Sequence, residues 1–168
     1  MANITNQRVV RTAGNPQRRV YLLENTLDFA EWDALSDAAN DPLAVNDTYR
    51  LFTVPKGTLV IQSAAEIMTD VDGAGATLQY GIGNDADAFA TIANIQSAAV
   101  GSIHRVSTPG NLLPNVWPVE ENAFATLSAA TTVPTRGKVR FIMALMDLNA
   151  VGEHTGESSD RDNRGILA

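Results

Sequence analysis

Cysteine is missing from this chain, which has none among its 168 residues. Disulfide bonds and thiolate metal sites are therefore excluded, and stability must come from burial, backbone hydrogen bonds or association with other chains. Long apolar runs are missing too: no stretch approaches the ~18 residues of a membrane-spanning helix, and the first residues are polar, without a signal-peptide core. We therefore expect a chain that stays soluble unless a partner binds it.

Charged side chains are scarce. They make up 18% of the chain, against ~25% in an ordinary soluble domain, while 45% of the residues are hydrophobic. Serine, threonine, asparagine, glutamine and small residues must therefore cover much of the surface, which suits protein contact as well as solvent. The net charge of −7 leaves no basic face that could neutralise phosphates, so nucleic-acid binding is not expected.

The few charges are unevenly distributed along the chain. The first twenty residues contain no acidic side chain and four arginines, Arg8, Arg11, Arg18 and Arg19, whereas seven acidic residues follow before the next basic one. Asparagine, glutamine, threonine, glycine and proline surround the arginines, and such a composition buries itself poorly. The pattern predicts an N-terminal arm, residues 1–18, that becomes ordered on contact and whose arginines either bind carboxylates of a partner or merely solvate the arm.

Three runs alternate apolar and polar side chains with the period of two that a β-strand requires: Lys56–Thr69, Ala76–Ile82 and Lys138–Leu148. The last run places Val139, Phe141, Met143 and Leu145 on one face and Arg140, Ile142, Ala144 and Met146 on the other. Both faces are largely apolar in the second half of this run, which indicates a strand that is central or covered on both sides.

Shorter segments complete the pattern. A first strand is expected at Arg19–Leu23, and Phe29–Ala39 predicts a short helix with Asp28 as its N-cap. The polar stretch Gly83–Asp87 predicts a turn. The three prolines of Pro109–Pro118 predict an ordered loop rather than a paired strand.

Seven or eight short strands separated by turn residues are typical of two packed sheets. We therefore predict an all-β fold, an antiparallel β-sandwich that is jelly-roll-like, with an extended N-terminal arm and a polar C-terminal tail. The sandwich body spans residues 19–148, with a short helix near 29–39. Residues 149–168 are polar, glycine-rich and mixed in charge, which predicts a flexible or partner-held tail.

Residues that could carry chemistry are few and poorly grouped. His104 and His154 are the two histidines, and neither lies near a serine or cysteine motif of a nucleophilic enzyme. Glu120 and Glu121 are adjacent, so in a strand they would face opposite ways and could not form an acid–base pair. Loop oxygens are available for a metal, but they lack the spacing of a calcium loop and are interpreted as turn residues: Asp70, Asp72, Asn84, Asp85 and Asp87. We predict no catalytic residue, no metal site and no cofactor, and hence no enzyme.

The two tryptophans, Trp32 and Trp117, allow two interpretations. An exposed tryptophan gives a large contact area with one polar group, and it can anchor a protein interface or stack on a sugar. Tryptophans more commonly pack in the core or beneath a loop. Both interpretations stay open at the level of sequence.

Three segments carry a resemblance to a known family. They are Leu51–Val60, Ala76–Gly83 followed by Asp85–Phe89, and Pro134–Arg140. Over about 100 residues, Tyr49–Leu148 resembles small structural proteins of tailed bacteriophages that decorate or cement the capsid. Ala88 stands where the family commonly has glycine, and residues 24–47 have no counterpart.

The resemblance implies a virion protein without enzymatic activity or cofactor, made in the cytoplasm of a host bacterium and docked on the outer surface of the capsid. Its partner would be the major capsid protein, and a homo-oligomer, preferably a trimer, would bridge capsid subunits without contacting nucleic acid or membrane. The expected capsid contacts are Arg8, Arg11, Arg18, Arg19, Trp32 and Trp117. The alternative is a head-fibre or tail module that binds a host receptor or glycan.

Overall fold

The computed structural model describes residues 8–10, 20–38, 42–105 and 115–148, and of residues 8–10, Ala38 and Asn115 it describes the backbone alone. The elements in these ranges are β1 Arg8–Val10, β2 Val20–Asp28, α1 Phe29–Ala38, β3 Thr48–Val54, β4 Thr58–Thr69, β5 Thr77–Ile82, β6 Asp85–Ile92, a 3-10 turn Ile95–Ser97, β7 Ile103–His104, β8 Asn115–Trp117, β9 Glu121–Ala129 and β10 Lys138–Asp147.

The strands form two antiparallel sheets. The large sheet has the order β1-β2-β10-β4-β7, and β8 pairs with β4 as well; the small sheet has the order β3-β9-β5-β6. Some neighbours come from distant parts of the chain, since β2 near the N-terminal end pairs with β10 near the C-terminal end. The predicted all-β, jelly-roll-like sandwich is confirmed.

β10 is the central strand of the large sheet, as its sequence predicted. It pairs with β2 on one side and with β4 on the other. Val139, Phe141, Met143 and Leu145 are fully buried in the core between the sheets. The opposite face, which includes Ile142 and Ala144, is half-buried.

The core is organised around Tyr80 of β5. Its ring centroid lies 4.9 Å from that of Phe141, 5.0 Å from that of Phe89 and 6.4 Å from that of Phe52. These four rings come from both sheets, and each is at most 1% exposed. Burial of such side chains contributes on the order of 1.5–3 kcal/mol each, and the tilted ring contacts add about 0.5–1.5 kcal/mol. This cluster holds the two sheets together.

The predicted helix is present as α1 and connects the two sheets. Asp28 Oδ1 accepts a hydrogen bond from the backbone N–H of Ala30 at 3.1 Å, which confirms its capping role. Lys138 Nζ lies 2.9 Å from Asp28 Oδ2, and its hydrogen bond lowers the pKa of that carboxyl group. Phe29 and Trp32 point from α1 into the core.

Two local predictions were wrong. Asp85, Ala86 and Asp87 belong to β6 rather than to a turn, because Ile82 already pairs with Asp85 and the connection is reduced to Gly83 and Asn84. Residues 115–117, expected to be part of a loop, form β8 and pair with Thr58–Val60. The first strand was predicted correctly but is longer than expected, since β2 continues to Asp28.

The predicted arm contributes one short element to the described structure. Arg8–Val10 forms β1 and pairs with Leu22–Glu24 of β2 at one edge of the large sheet. Arg11, Arg18, Arg19 and the predicted tail lie outside the described residues, so the division into arm, body and tail stays a prediction. The described part of the chain contains no helix that is long and apolar enough to span a membrane.

Candidate interaction surface

The two tryptophans lie in the core. Trp32 is 4% exposed, and its ring packs 6.0 Å from that of Phe29 and 5.7 Å from that of Tyr49. Trp117 is 7% exposed, and its Nε1 donates a hydrogen bond to Glu121 Oε2 at 2.8 Å. These contacts give both residues a packing role. A capsid contact through either indole stays a prediction, and it would require the ring to leave its present site.

The arginines predicted to bind a partner are not brought together in the described structure. Arg8 lies in β1, where the backbone alone is described, and Arg11, Arg18 and Arg19 are outside the described residues. The backbone pairing of Arg8 with Glu24 places residues 8–10 of the predicted arm at the β2 edge of the large sheet.

The residues considered for chemistry have structural contacts. Asp72 accepts hydrogen bonds from the backbone N–H of Thr135 at 2.7 Å and of Arg136 at 2.8 Å, and its other oxygen accepts from the Thr135 hydroxyl and from Arg136 Nε. Burial alone would raise the pKa of Asp72, but these hydrogen bonds outweigh it and lower the pKa. Asp72 therefore fastens the loop after β4 to the loop before β10.

The histidine with a described position, His104, has a serine neighbour. Ser102 Oγ lies 3.1 Å from His104 Nε2, and burial lowers the pKa of the imidazole. Within the described ranges no carboxylate is hydrogen-bonded to His104, so the third member of a nucleophilic triad is not assembled there. The same ranges contain no group of three or more metal-ligating His, Asp or Glu residues.

The outer face of the small sheet is mostly polar, although Phe124 is half-buried at an outward position of β9. One row across its four strands consists of Thr48, Thr126, Gln79 and Thr91, each paired with the next. Alternation along β9 points Ala123, Ala125 and Leu127 inward, where they are buried.

The outer face of the large sheet is different because apolar side chains continue across it. Leu22, Ala144 and Gln62 are paired neighbours on β2, β10 and β4, and the next row carries Glu24, Ile142 and Ala64. Ile103 of β7 is 56% exposed and Leu22 is 42% exposed. Val20 of β2 and Val116 of β8 are exposed as well. We use the name outer apolar face for six residues: Val20, Leu22, Ile103, Val116, Ile142 and Ala144.

A shallow depression of about 170 Å³ lies within the outer apolar face. Leu22, Ala64, Ile103, Ile142 and Ala144 supply its apolar lining, and Gln62, Ser63, Glu66 and Arg105 supply polar groups. A site of this size and lining can receive an aliphatic side chain, since an apolar cavity of ~150 Å³ holds a benzene molecule. The depression is therefore suited to bind an apolar side chain rather than to carry out a reaction.

Charged side chains border the outer apolar face and form ion pairs and hydrogen bonds there. Arg140 Nε donates to Glu66 Oε2 at 3.1 Å, and Arg140 Nη1 lies 3.6 Å from Glu24 Oε1. The hydrogen bond to Glu66 raises the pKa of Arg140. On the other side, Arg105 Nε and Nη1 donate to the amide oxygen of Gln62 at 3.2 and 3.0 Å in the amide orientation that satisfies both groups.

Comparison with solved structures finds this fold in phage capsids. A chain in the structure titled "Cyanophage Pam1 capsid asymmetric unit" is 15% identical, with a TM-score of 0.54 over 86% of this chain and 96% of that chain. A chain in "Acidic stable capsid structure of Helicobacter pylori bacteriophage KHP30" is 12% identical, with a TM-score of 0.51 over 83% and 91%. No family model and no curated protein matches the sequence. At these identities the likeness establishes a common fold.

Proposed function

We propose that this chain is a structural protein of a bacteriophage virion, which binds the outside of the assembled capsid and stabilises it as a decoration or cement protein. The observation that carries the proposal is the likeness of fold to chains of phage capsids over almost their whole length. Because the alignments cover 96% and 91% of those chains, they are similar in length to this one. The likeness therefore concerns whole small proteins rather than one domain of a large one.

The described residues favour a binding role over a catalytic one. The candidate acidic residues are occupied in structural contacts, as Asp72 and Glu121 illustrate. The pocket on the large sheet is apolar and shallow. A rigid sandwich with few charged side chains is suited to contact other proteins many times over on a particle, and we propose no enzymatic activity and no cofactor.

In this proposal the major capsid protein is the partner, and the basic arm extends the reach of each molecule. The described part of the arm, β1, lies at the edge of the large sheet next to β2, a position from which the arm would reach neighbouring subunits. Arg8, Arg11, Arg18 and Arg19 would pair with carboxylates of neighbouring capsid subunits, and the tail would make further contacts. Several weak contacts on one molecule raise the effective concentration of each and slow release.

Binding that is specific for the assembled lattice would stabilise the capsid by mass action, because free subunits offer incomplete sites. We propose a homo-oligomer, with a trimer at local threefold positions as the preferred form. Its location is the outer surface of the virion, away from nucleic acid and membrane.

The test uses the full-length chain and capsids that lack it. A variant in which all four arm arginines are replaced by glutamine should bind these capsids at least tenfold more weakly in a co-sedimentation titration, and wild-type binding should weaken with added salt. The matched control replaces the same four arginines by lysine, which retains the charge and should retain most of the affinity.

Two results would contradict the proposal in different ways. Equal affinity of the glutamine variant and the wild type would show that the arm arginines do not contribute to capsid binding. Failure of the wild type to bind capsids at all, or a count of about a dozen copies per particle, would instead favour a fibre or tail module that binds a host receptor or glycan.

A further inference from the structure

The outer faces of the two sheets differ in a way that the fold alone does not require. On the small sheet, one outward row consists of threonines and Gln79, and Phe124 beside it is half-buried. On the large sheet, the aliphatic side chains of Val20, Leu22, Ile103 and Val116 are exposed. We infer that the outer apolar face is the surface through which a second copy of this chain packs. The inference rests on the proposed function, in which this chain forms a homo-oligomer, and it identifies the surface through which the copies contact each other.

The size of the face supports a protein contact. Strand spacing of ~4.8 Å gives the apolar rows a width of about 14 Å from β2 to β7, and a rise of ~3.3 Å per residue gives them a similar height. The resulting area, on the order of 200–300 Å², is the apolar centre of an interface rather than the whole of it, since a stable contact buries ~800 Å² on each partner. A polar rim would supply the remainder, as is usual in protein interfaces.

The charges around the face favour a second copy over a strongly charged partner. Among the residues whose side chains the structure describes, the rim contains three acidic groups, Glu24, Glu66 and Asp28, and three basic groups, Arg105, Arg140 and Lys138, of which all but Arg105 are engaged in the ion pairs already described. These six formal charges sum to zero in a chain whose net charge is −7. Two acidic copies would repel each other least at such a neutral face, and a polyanion or a basic segment would find no net charge to bind.

The face carries both an exposed aliphatic side chain and a depression. Ile103 lies on the terminal strand β7 and is 56% exposed, and it forms one side of the depression that Leu22, Ala64, Ile142 and Ala144 also line. Ile103 of one copy can enter the depression of a second copy face to face, which gives a twofold dimer. It can also do so edge to face, and this contact gives a ring such as a trimer when the rotation between successive copies closes. The same residues are buried in both arrangements.

The experiment measures self-association of the purified full-length protein without capsids, by sedimentation velocity from micromolar to hundreds of micromolar concentration. Ile103→Asp and Leu22→Asp each add a charge to the centre of the face, and each should weaken self-association at least tenfold. The matched control, Thr91→Asp, adds the same charge to the outer face of the small sheet, where Thr91 is exposed, and should leave self-association unchanged.

A milder variant keeps the test valid if an aspartate variant fails to fold. Ile103→Ala removes the protruding side chain without adding a charge, and circular dichroism at increasing temperature reports whether the body remains folded. This variant should still weaken self-association severalfold. Because the contact is apolar and neutral, 0.5 M NaCl should leave wild-type self-association intact.

A wild type that stays monomeric at every concentration would overturn the inference, and the face would then be covered by the capsid or by residues 106–114 or 149–168 of the same chain. Self-association that the Ile103 and Leu22 variants leave unchanged would overturn it as well. These results can be distinguished from a failure of the proposed function. A variant that is monomeric but binds capsids contradicts neither proposal. A wild type that self-associates but does not bind capsids contradicts the decoration role alone.

Discussion

Arg140 of β10 and Glu66 of β4 form a hydrogen-bonded ion pair across the outer face of the large sheet, with Nε and Nη2 of the guanidinium both directed at Glu66 Oε2. Glu24 of β2 lies on the other side of Arg140, 3.6 Å from Nη1. One arginine thus connects three neighbouring strands. Arg140 and Glu66 are directly paired in the β-ladder, whereas Glu24 pairs with Ile142 and reaches Arg140 diagonally.

The unequal geometry of the two acidic partners predicts unequal contributions to stability. Glu66→Gln should lower the free energy of unfolding by about 0.5–1 kcal/mol, a range already reduced for the partial exposure of the side chains. Glu24→Gln, which removes an ion pair without a short hydrogen bond, should cost at most about half as much. Urea denaturation measures both, and 1 M NaCl should reduce the effects. A larger loss for Glu24→Gln would contradict this account.

Asp72 should make stability dependent on pH. Its pKa in the folded chain lies below the ordinary value of 3.8, so the ionised form stabilises the fold above that value and the contribution disappears as pH falls through the lowered pKa. Asp72→Asn removes an acceptor from the Thr135 hydroxyl and Arg136 Nε and should cost about 1–2 kcal/mol at pH 7.

Melting temperatures measured from pH 7 to pH 2.5 test the Asp72 prediction. The difference between wild type and Asp72→Asn should be constant down to about pH 5 and should shrink below it. Asp28, whose pKa is also lowered, is present in both proteins and therefore cancels from the difference. A gap that stays the same at pH 2.5 would mean that the charge of Asp72 contributes nothing.

Two glycines of the β5–β6 hairpin should respond very differently to the same substitution. A Cβ on Gly81 would collide with the backbone of β6, within 2.6 Å of the Ala86 carbonyl oxygen, whereas a Cβ on Gly83 would meet no heavy atom within 4 Å. Gly81→Ala should therefore destabilise the fold by about 2 kcal/mol or more, and Gly83→Ala by less than about 0.5 kcal/mol. Equal effects in thermal denaturation would contradict the close approach at Gly81.

Trp117→Phe separates a packing role from a binding role. The substitution keeps an aromatic ring near Phe89, 5.8 Å from the present indole, but removes the Nε1 donor to Glu121. We expect a loss of about 1–2 kcal/mol in stability because Glu121 Oε2 loses its partner. Affinity for capsids should stay unchanged at a temperature where the variant is folded. A stable variant with weakened capsid binding would instead support the direct contact predicted for Trp117.

Local sequence rules predicted the elements whose interactions are local. The alternation in residues 138–148 indicated β10 and its central place, and Asp28 before an apolar helical pattern indicated the start of α1. The rules failed where a distant neighbour decides the structure. Residues 115–117 are a strand because the edge of β4 offers them pairing partners, and Asp85 enters a strand because Gly81 lets the chain approach closely.

The candidate interaction surface was only partly predictable. The apolar second face of β10, with Ile142 and Ala144, was visible in the sequence. Its neighbours were not, since Leu22 and Ile103 join that face only through the register of β2 and β7 in the sheet. The burial of Trp32 depends in the same way on how α1 lies against Tyr49, which no local pattern specifies.

A cryo-EM map of the virion that carries this chain is the most direct test of the proposed function. Our account predicts that the sandwich fits density on the outer surface of the capsid in lattice-wide copy number, with its N-terminal segment in contact with neighbouring capsid subunits. A capsid surface without such density, or the sandwich confined to the tail or to a single vertex, would contradict it.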